Sequence, residues 1–138
     1  MSETRAPAGE DLRTFALIAY SLLVLATFNG LTAIAAVVLA YIKRDAARGT
    51  LWEGHFRNII QVFWIAVIVS LLALALALPV FGALAYSLIT TDGHPPPAAI
   101  GSAMLLVPVF LVGGTIFFVW FVYRTLRGLI HAIEERPF

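Results

Sequence analysis

Cysteine is absent from this chain of 138 residues. Its absence excludes disulfide bonds, thiolate metal sites and cysteine nucleophiles. The sequence also contains no Gly-rich phosphate loop, no Ser/His/Asp set, no acidic metal cluster and no two histidines three or four residues apart. Because catalytic and metal sites need such convergent groups, we expect no catalytic residue, no metal ligand and no cofactor, and therefore no enzyme.

Charge is also scarce. Only 12% of the residues are charged and the net charge is +1, whereas about 25% are charged in an average soluble domain. Hydrophobic residues make up 61% of the chain and the mean hydropathy is +0.93. A small soluble fold cannot bury so much apolar surface, whereas lipid accepts it. The composition predicts a single integral membrane domain over residues 1–138, and the small net charge gives no sign of a nucleic-acid partner.

Three long runs contain no charged residue. They cover residues 14–42, 58–89 and 98–123, and each is longer than the roughly 20 residues that cross a bilayer as a helix. The second run contains Pro79, which predicts a break there. We therefore expect an all-α, polytopic helical membrane protein: a short N-terminal hairpin, two long transmembrane helices and an amphipathic C-terminal extension. The predicted helices cover about 14–28, 31–43, 55–89 and 98–133.

The first run has a turn signal at Asn29–Gly30. Both residue types tolerate positive φ, so we expect Gly30 to adopt a conformation that other residues resist. The run then forms two short helices, as two crossings or as a re-entrant loop. The alternative is one tilted helix that places the N-terminus outside.

Basic residues predict the orientation. Residues 43–57 carry four Lys or Arg, residues 90–97 carry none, and residues 124–136 carry three. Because cytoplasmic flanks are enriched in Lys and Arg, we expect the N-terminus, residues 43–57 and the C-terminus inside, and the 90–97 loop outside. After Tyr123, apolar residues recur at helical spacing among charged ones, which indicates an extension along the membrane surface.

One candidate binding surface follows from this orientation. Glu53, Arg57 and Gln61 share a helix face, and Glu53 is predicted to pair with Arg57. The basic and imidazole groups of both cytoplasmic segments are predicted to form one surface for anionic lipid headgroups or an acidic partner: Lys43, Arg44, Arg48, His55, Arg57, Arg124 and Arg127. The alternative interpretation is that these charges serve only as a topogenic signal, with snorkelling and helix pairing.

Two segments resemble a known family. "LTAIAAVVLAYIKRDAARGTLWEGHFRNIIQVFW" and "VWFVYRTLRGLIHAIEERPF" resemble bacterial inner-membrane proteins of the Tic-twenty-like superfamily. The resemblance implies a short apolar hairpin, a basic cytoplasmic linker, two longer helices and a basic tail, and it implies no established activity. The matching positions are Lys43, Arg44, Glu53, His55, Arg57, Arg124, Arg136 and Pro137.

Three functions are compatible with these features. The first is a non-enzymatic scaffold or accessory factor for a complex in the bacterial inner membrane, with lipids, other membrane proteins or further copies of itself as partners. The second is a small channel or carrier that uses the broken first helix. The third is a membrane enzyme acting on lipid headgroups, with His55 as the base. The uncharged runs favour the first, because transporters usually keep ionisable groups within their spans.

Overall fold

The computed structural model describes residues 8–90 and 94–138, and this part of the chain is helical without strands. It contains four helices: α1 (Ala8–Leu25), α2 (Leu31–Arg44), α3 (Trp52–Thr90) and α4 (Pro97–Ile133). The all-α prediction with two long apolar helices is confirmed. α1 begins before the predicted residue 14, because Glu10 and Asp11 in its first turn complement the helix dipole.

The first apolar run forms a hairpin, since α1 and α2 pack on each other. Asn29 makes the turn: its Oδ1 accepts a hydrogen bond from Leu31 N at 3.2 Å, and its carbonyl accepts one from Thr32 Oγ1 at 2.8 Å. Near the open end, Lys43 Nζ lies 3.9 Å from the centre of the Phe15 ring. The hairpin prediction is confirmed.

Gly30 differs from its prediction. Its φ is −54°, within the right-handed helical region, and a Cβ built there would meet no heavy atom of the described residues within 4 Å. The turn therefore depends on the Asn29 side chain and not on glycine. The reason is that α2 begins almost at once, so Gly30 already has helical geometry.

The linker between α2 and α3 is tight. Gly49 has a positive φ of 73°, and its amide donates to Glu53 Oε2 at 2.9 Å. Thr50 Oγ1 accepts a hydrogen bond from Trp52 N at 3.2 Å, which caps the start of α3. Glu53 thus stabilises the linker, and within the described residues it forms no ion pair with Arg57. The predicted Glu53–Arg57 pair is replaced by this local capping bond.

α3 and α4 are long and apolar enough to cross a membrane. Pro79 lies inside α3 and Pro108 inside α4, so the predicted break near Pro79 does not end the helix. In the most apolar stretch of each helix only 11% and 6% of the residues, respectively, are buried. An apolar surface this exposed is what lipid would cover.

The chain divides into two compact units. One comprises the described residues up to Ile65 together with Trp120–Phe138, and the other is Ala66–Val119. We call them the head unit and the span unit. Most large side chains of the span unit are exposed, whereas the head unit has a packed core that includes Tyr20, Leu23, Phe56, Ile59 and Val62. The single predicted domain therefore consists of two units that differ in packing.

Candidate functional site

A tyrosine of the hairpin lies at the centre of the head unit. Tyr20 on α1 is fully buried, and it packs directly on the backbone of α4 at Gly128. A Cβ at Gly128 would lie 2.6 Å from Tyr20 Oη, which is closer than non-bonded atoms approach. Only glycine therefore lets the tyrosine ring occupy this position.

Asn58 connects this tyrosine to α4. The Asn58 side chain is buried, and its Nδ2 donates to Tyr20 Oη at 3.1 Å. Its Oδ1 accepts a hydrogen bond from Arg124 Nε at 2.9 Å. One amide thus satisfies a hydroxyl from α1 and a guanidinium from α4 within the core.

His55 continues this chain of hydrogen bonds toward the C-terminus. Its Nε2 lies 2.8 Å from the carbonyl oxygen of Arg136. Because a carbonyl only accepts, Nε2 carries a proton, and in the neutral ring Nδ1 can accept the Tyr20 hydroxyl at 3.4 Å. The imidazole is fully buried, with the Trp52 ring centre 5.4 Å away. The prediction that His55 lies on an exposed basic surface is wrong, because tertiary contacts enclose the ring.

The end of α4 turns back to meet His55. Arg136 N donates to the His131 carbonyl at 2.9 Å and Glu135 N to the Ala132 carbonyl at 3.4 Å, while Glu135 has a φ of 54°. This is a Schellman motif with a left-handed residue after the helix. Glu135 is also held by Arg13 of α1 through an ion pair of 2.9 Å. The turn directs the Arg136 carbonyl onto the imidazole.

Arg124 ends the series of hydrogen-bonded side chains His55, Tyr20, Asn58 and Arg124, which we call the polar chain. The Arg124 side chain also borders a groove. Besides Asn58, its guanidinium contacts Gln61 Oε1 through Nη2 at 3.2 Å. Among the described residues no carboxylate pairs with it. A cavity of about 260 Å³ adjoins it, and we call this cavity the basic groove; its lining residues are Trp120, Tyr123, Arg124, Arg127, His131 and Phe138.

The remaining predicted site residues lie apart from that groove. Lys43 covers the Phe15 ring, Arg44 is exposed, and Arg48 pairs with Asp45 at 2.9 Å. Arg57 and Glu53 line a second groove beside the Pro137–Phe138 segment. The structure therefore brings Arg124 and Arg127 together and distributes the other basic residues over the surface of the head unit.

Tyr20, Asn58 and Gly128 belong to this site but were not predicted from the sequence. His55 and Asn58 are three residues apart, so they share one helix face, and this spacing was the available signal. Tyr20 lies 35 residues before His55, and no local pattern pairs them. The polar chain joins α1, α3, α4 and the C-terminal segment through side chains that each form hydrogen bonds within the protein.

No protein-family model, no curated protein and no solved structure matches this chain. The resemblance to the Tic-twenty-like superfamily stays a prediction that rests on the two sequence segments.

Proposed function

We propose that the chain is a non-enzymatic integral membrane protein of the bacterial inner membrane and that it serves as a scaffold or accessory factor for a membrane complex. The head unit lies at the cytoplasmic face, with the N-terminus, residues 43–57 and the C-terminus inside. Membership of the Tic-twenty-like superfamily is part of this proposal. The membrane location and the orientation are supported by the pair of long exposed apolar helices and by the distribution of Lys and Arg.

The observation that carries the scaffold role is the environment of His55. Both ring nitrogens have partners within the protein, Tyr20 and the Arg136 carbonyl, and the ring is buried. A general base must reach its substrate within hydrogen-bond distance, and His55 would have to break these contacts to do so. The arrangement favours a rigid platform over an enzyme that acts on headgroups through His55.

The turn at Asn29 likewise favours a scaffold over a channel or carrier. A carrier with a broken helix uses the interrupted backbone to bind its substrate. Here Asn29 Oδ1 and Thr32 Oγ1 bond to the backbone of the turn itself, and Thr27 Oγ1 bonds to the Val24 carbonyl. These polar groups support the local fold.

Two exposed arginines provide a contact for an acidic partner. Arg44 and Arg57 are exposed, and within the described part of the chain neither forms an ion pair. Arg48 and Arg136, by contrast, pair with Asp45 and Glu134. Unpaired cations at an interface favour partners of opposite charge.

Photo-crosslinking in cells tests this function. A photoreactive residue replaces Ala46, which is exposed in the linker, and is compared with one at Tyr86 in the span unit. We expect a discrete membrane-protein adduct at position 46 whose yield falls several-fold in the Arg44→Ala/Arg57→Ala variant. The Arg48→Ala/Arg136→Ala variant removes the same charge from paired arginines and should retain the adduct. Absence of any adduct, or equal losses in both variants, contradicts the scaffold role.

A further inference from the structure

We propose that the basic groove binds the phosphodiester of an anionic phospholipid headgroup. The inference deepens the proposed function in one respect, because it requires the head unit to lie at a membrane surface. It does not require a protein partner. The groove lies wholly within the head unit.

The first argument is uncompensated charge. Arg124 and Arg127 both line the groove, and in the described residues no carboxylate lies within ion-pair distance of either. The two acidic residues that directly follow α4 are engaged elsewhere, Glu134 with Arg136 at 3.3 Å and Glu135 with Arg13 at 2.9 Å. Two guanidinium groups in one concave site without a counter-charge attract an anion.

The second argument is pre-organisation. A guanidinium has five N–H donors, and Arg124 uses two of them on the neutral oxygens of Asn58 and Gln61. These bonds hold the group in place and leave its charge intact. Three donors remain for a ligand, and a guanidinium matches the paired oxygens of a phosphate. Because the side chain is already ordered, binding costs less conformational entropy.

The third argument concerns the walls, which favour a lipid over free phosphate. Trp120 and Phe138 flank the guanidinium, with ring centres 5.8 and 5.9 Å from Arg124 Cζ. Tyr123, 61% exposed, ends the apolar run of α4, which is the level where aromatic residues meet headgroups. The volume of about 260 Å³ is slightly below the roughly 300 Å³ of the smallest pockets for drug-sized ligands. It suits a headgroup, with the acyl chains outside.

His131 also borders the groove. It lines the groove, and its buried Nδ1 has no hydrogen-bond partner among the described residues. His55 differs, because both of its nitrogens have partners. The His131 ring therefore forms part of the groove wall, whereas its Nδ1 is buried away from solvent.

Native mass spectrometry of the full chain in mild detergent tests the site, with phosphatidylglycerol and phosphatidylethanolamine of identical acyl chains as probes. We expect selective retention of phosphatidylglycerol. Arg127→Gln removes one groove charge without touching the polar chain, and it should weaken retention about fivefold. Arg136→Gln is the matched control, because it removes an equal charge that Glu134 already neutralises. It should change retention less than twofold.

Three outcomes overturn the inference. Equal retention of the two lipids, or equal losses in Arg127→Gln and Arg136→Gln, shows that no selective site exists at the groove. Complete competition by inorganic phosphate assigns the groove to free phosphate instead. If Arg127→Gln does not fold, Arg127→Met takes its place under the same criteria. Flotation with vesicles separates the two proposals: failure to insert contradicts the membrane role and the lipid site together, whereas insertion without selectivity contradicts the lipid site alone.

Discussion

At the scale of single residues, Gly128 decides whether the polar chain forms. The Tyr20 ring occupies the space that a side chain at residue 128 would fill, and the Tyr20 hydroxyl joins Asn58 to His55. A displaced ring would leave the buried amide and imidazole without this partner, and buried unsatisfied groups are costly. The absence of a side chain at Gly128 is therefore required for the hydrogen bonds of the polar chain.

We accordingly expect Gly128→Ala to lower the free energy of unfolding by about 1–3 kcal/mol, the usual cost of overpacking a core. Thermal unfolding in detergent measures the effect. Gly114→Ala is the matched control, because a Cβ there meets no described heavy atom within 4 Å, and alanine is the better helix former. Equal stability of Gly128→Ala and wild type would show that the tyrosine does not need this space.

Individual residues also mark the limit of prediction from the sequence. The basic residues of segments 43–57 and 124–136 could be recognised from the sequence as flanks of membrane helices, because each segment lies next to an apolar run. The burial of His55 could not be predicted from the sequence, since the ring packs against a segment whose carbonyl lies 81 residues away. By its sequence neighbours Tyr20 is one more residue of an apolar run, because its partner Asn58 is 38 residues distant. Such pairs are determined by helix packing, which local spacing does not encode.

At the scale of elements, the helices followed from the length of the uncharged runs. Only helices satisfy their own backbone within a long apolar stretch in lipid, and all four predicted helices are present. Their ends were less well predicted: α3 begins at Trp52 rather than near residue 55, because Thr50 caps its first turn. The hairpin turn was predicted at the right residues. Its special backbone conformation was assigned to Gly30, whereas the turn is held by hydrogen bonds of Asn29.

The hairpin turn gives a paired prediction. Asn29→Ala removes the bond to Leu31 N, and loss of a comparable capping bond costs about 1 kcal/mol. Gly30→Ala should be neutral or stabilising by up to about 1 kcal/mol, because Gly30 has a helical φ and open space around it. Thermal unfolding of both variants in the same detergent makes the comparison. The reverse order of stabilities would mean that glycine makes the turn after all.

At the level of the whole molecule, the two units differ in the side chains that they bury and expose. The span unit exposes apolar side chains to its surroundings, while the head unit contains the buried polar chain, the basic groove and the exposed arginines. Transfer of exposed leucines and phenylalanines to lipid is favourable at about 25 cal/mol per Å². We propose that α3 and α4 carry the chain across the membrane and back, with the head unit in the cytoplasm.

Cysteine labelling in intact cells is the direct test of this topology, because the chain has no cysteine of its own to interfere. Single variants Ser2→Cys, Arg48→Cys and Asp92→Cys are exposed to a membrane-impermeant maleimide before and after permeabilisation. We expect labelling of Asp92→Cys in intact cells, and labelling of Ser2→Cys and Arg48→Cys only after permeabilisation. Labelling of Arg48→Cys in intact cells, with Asp92→Cys protected, would contradict it.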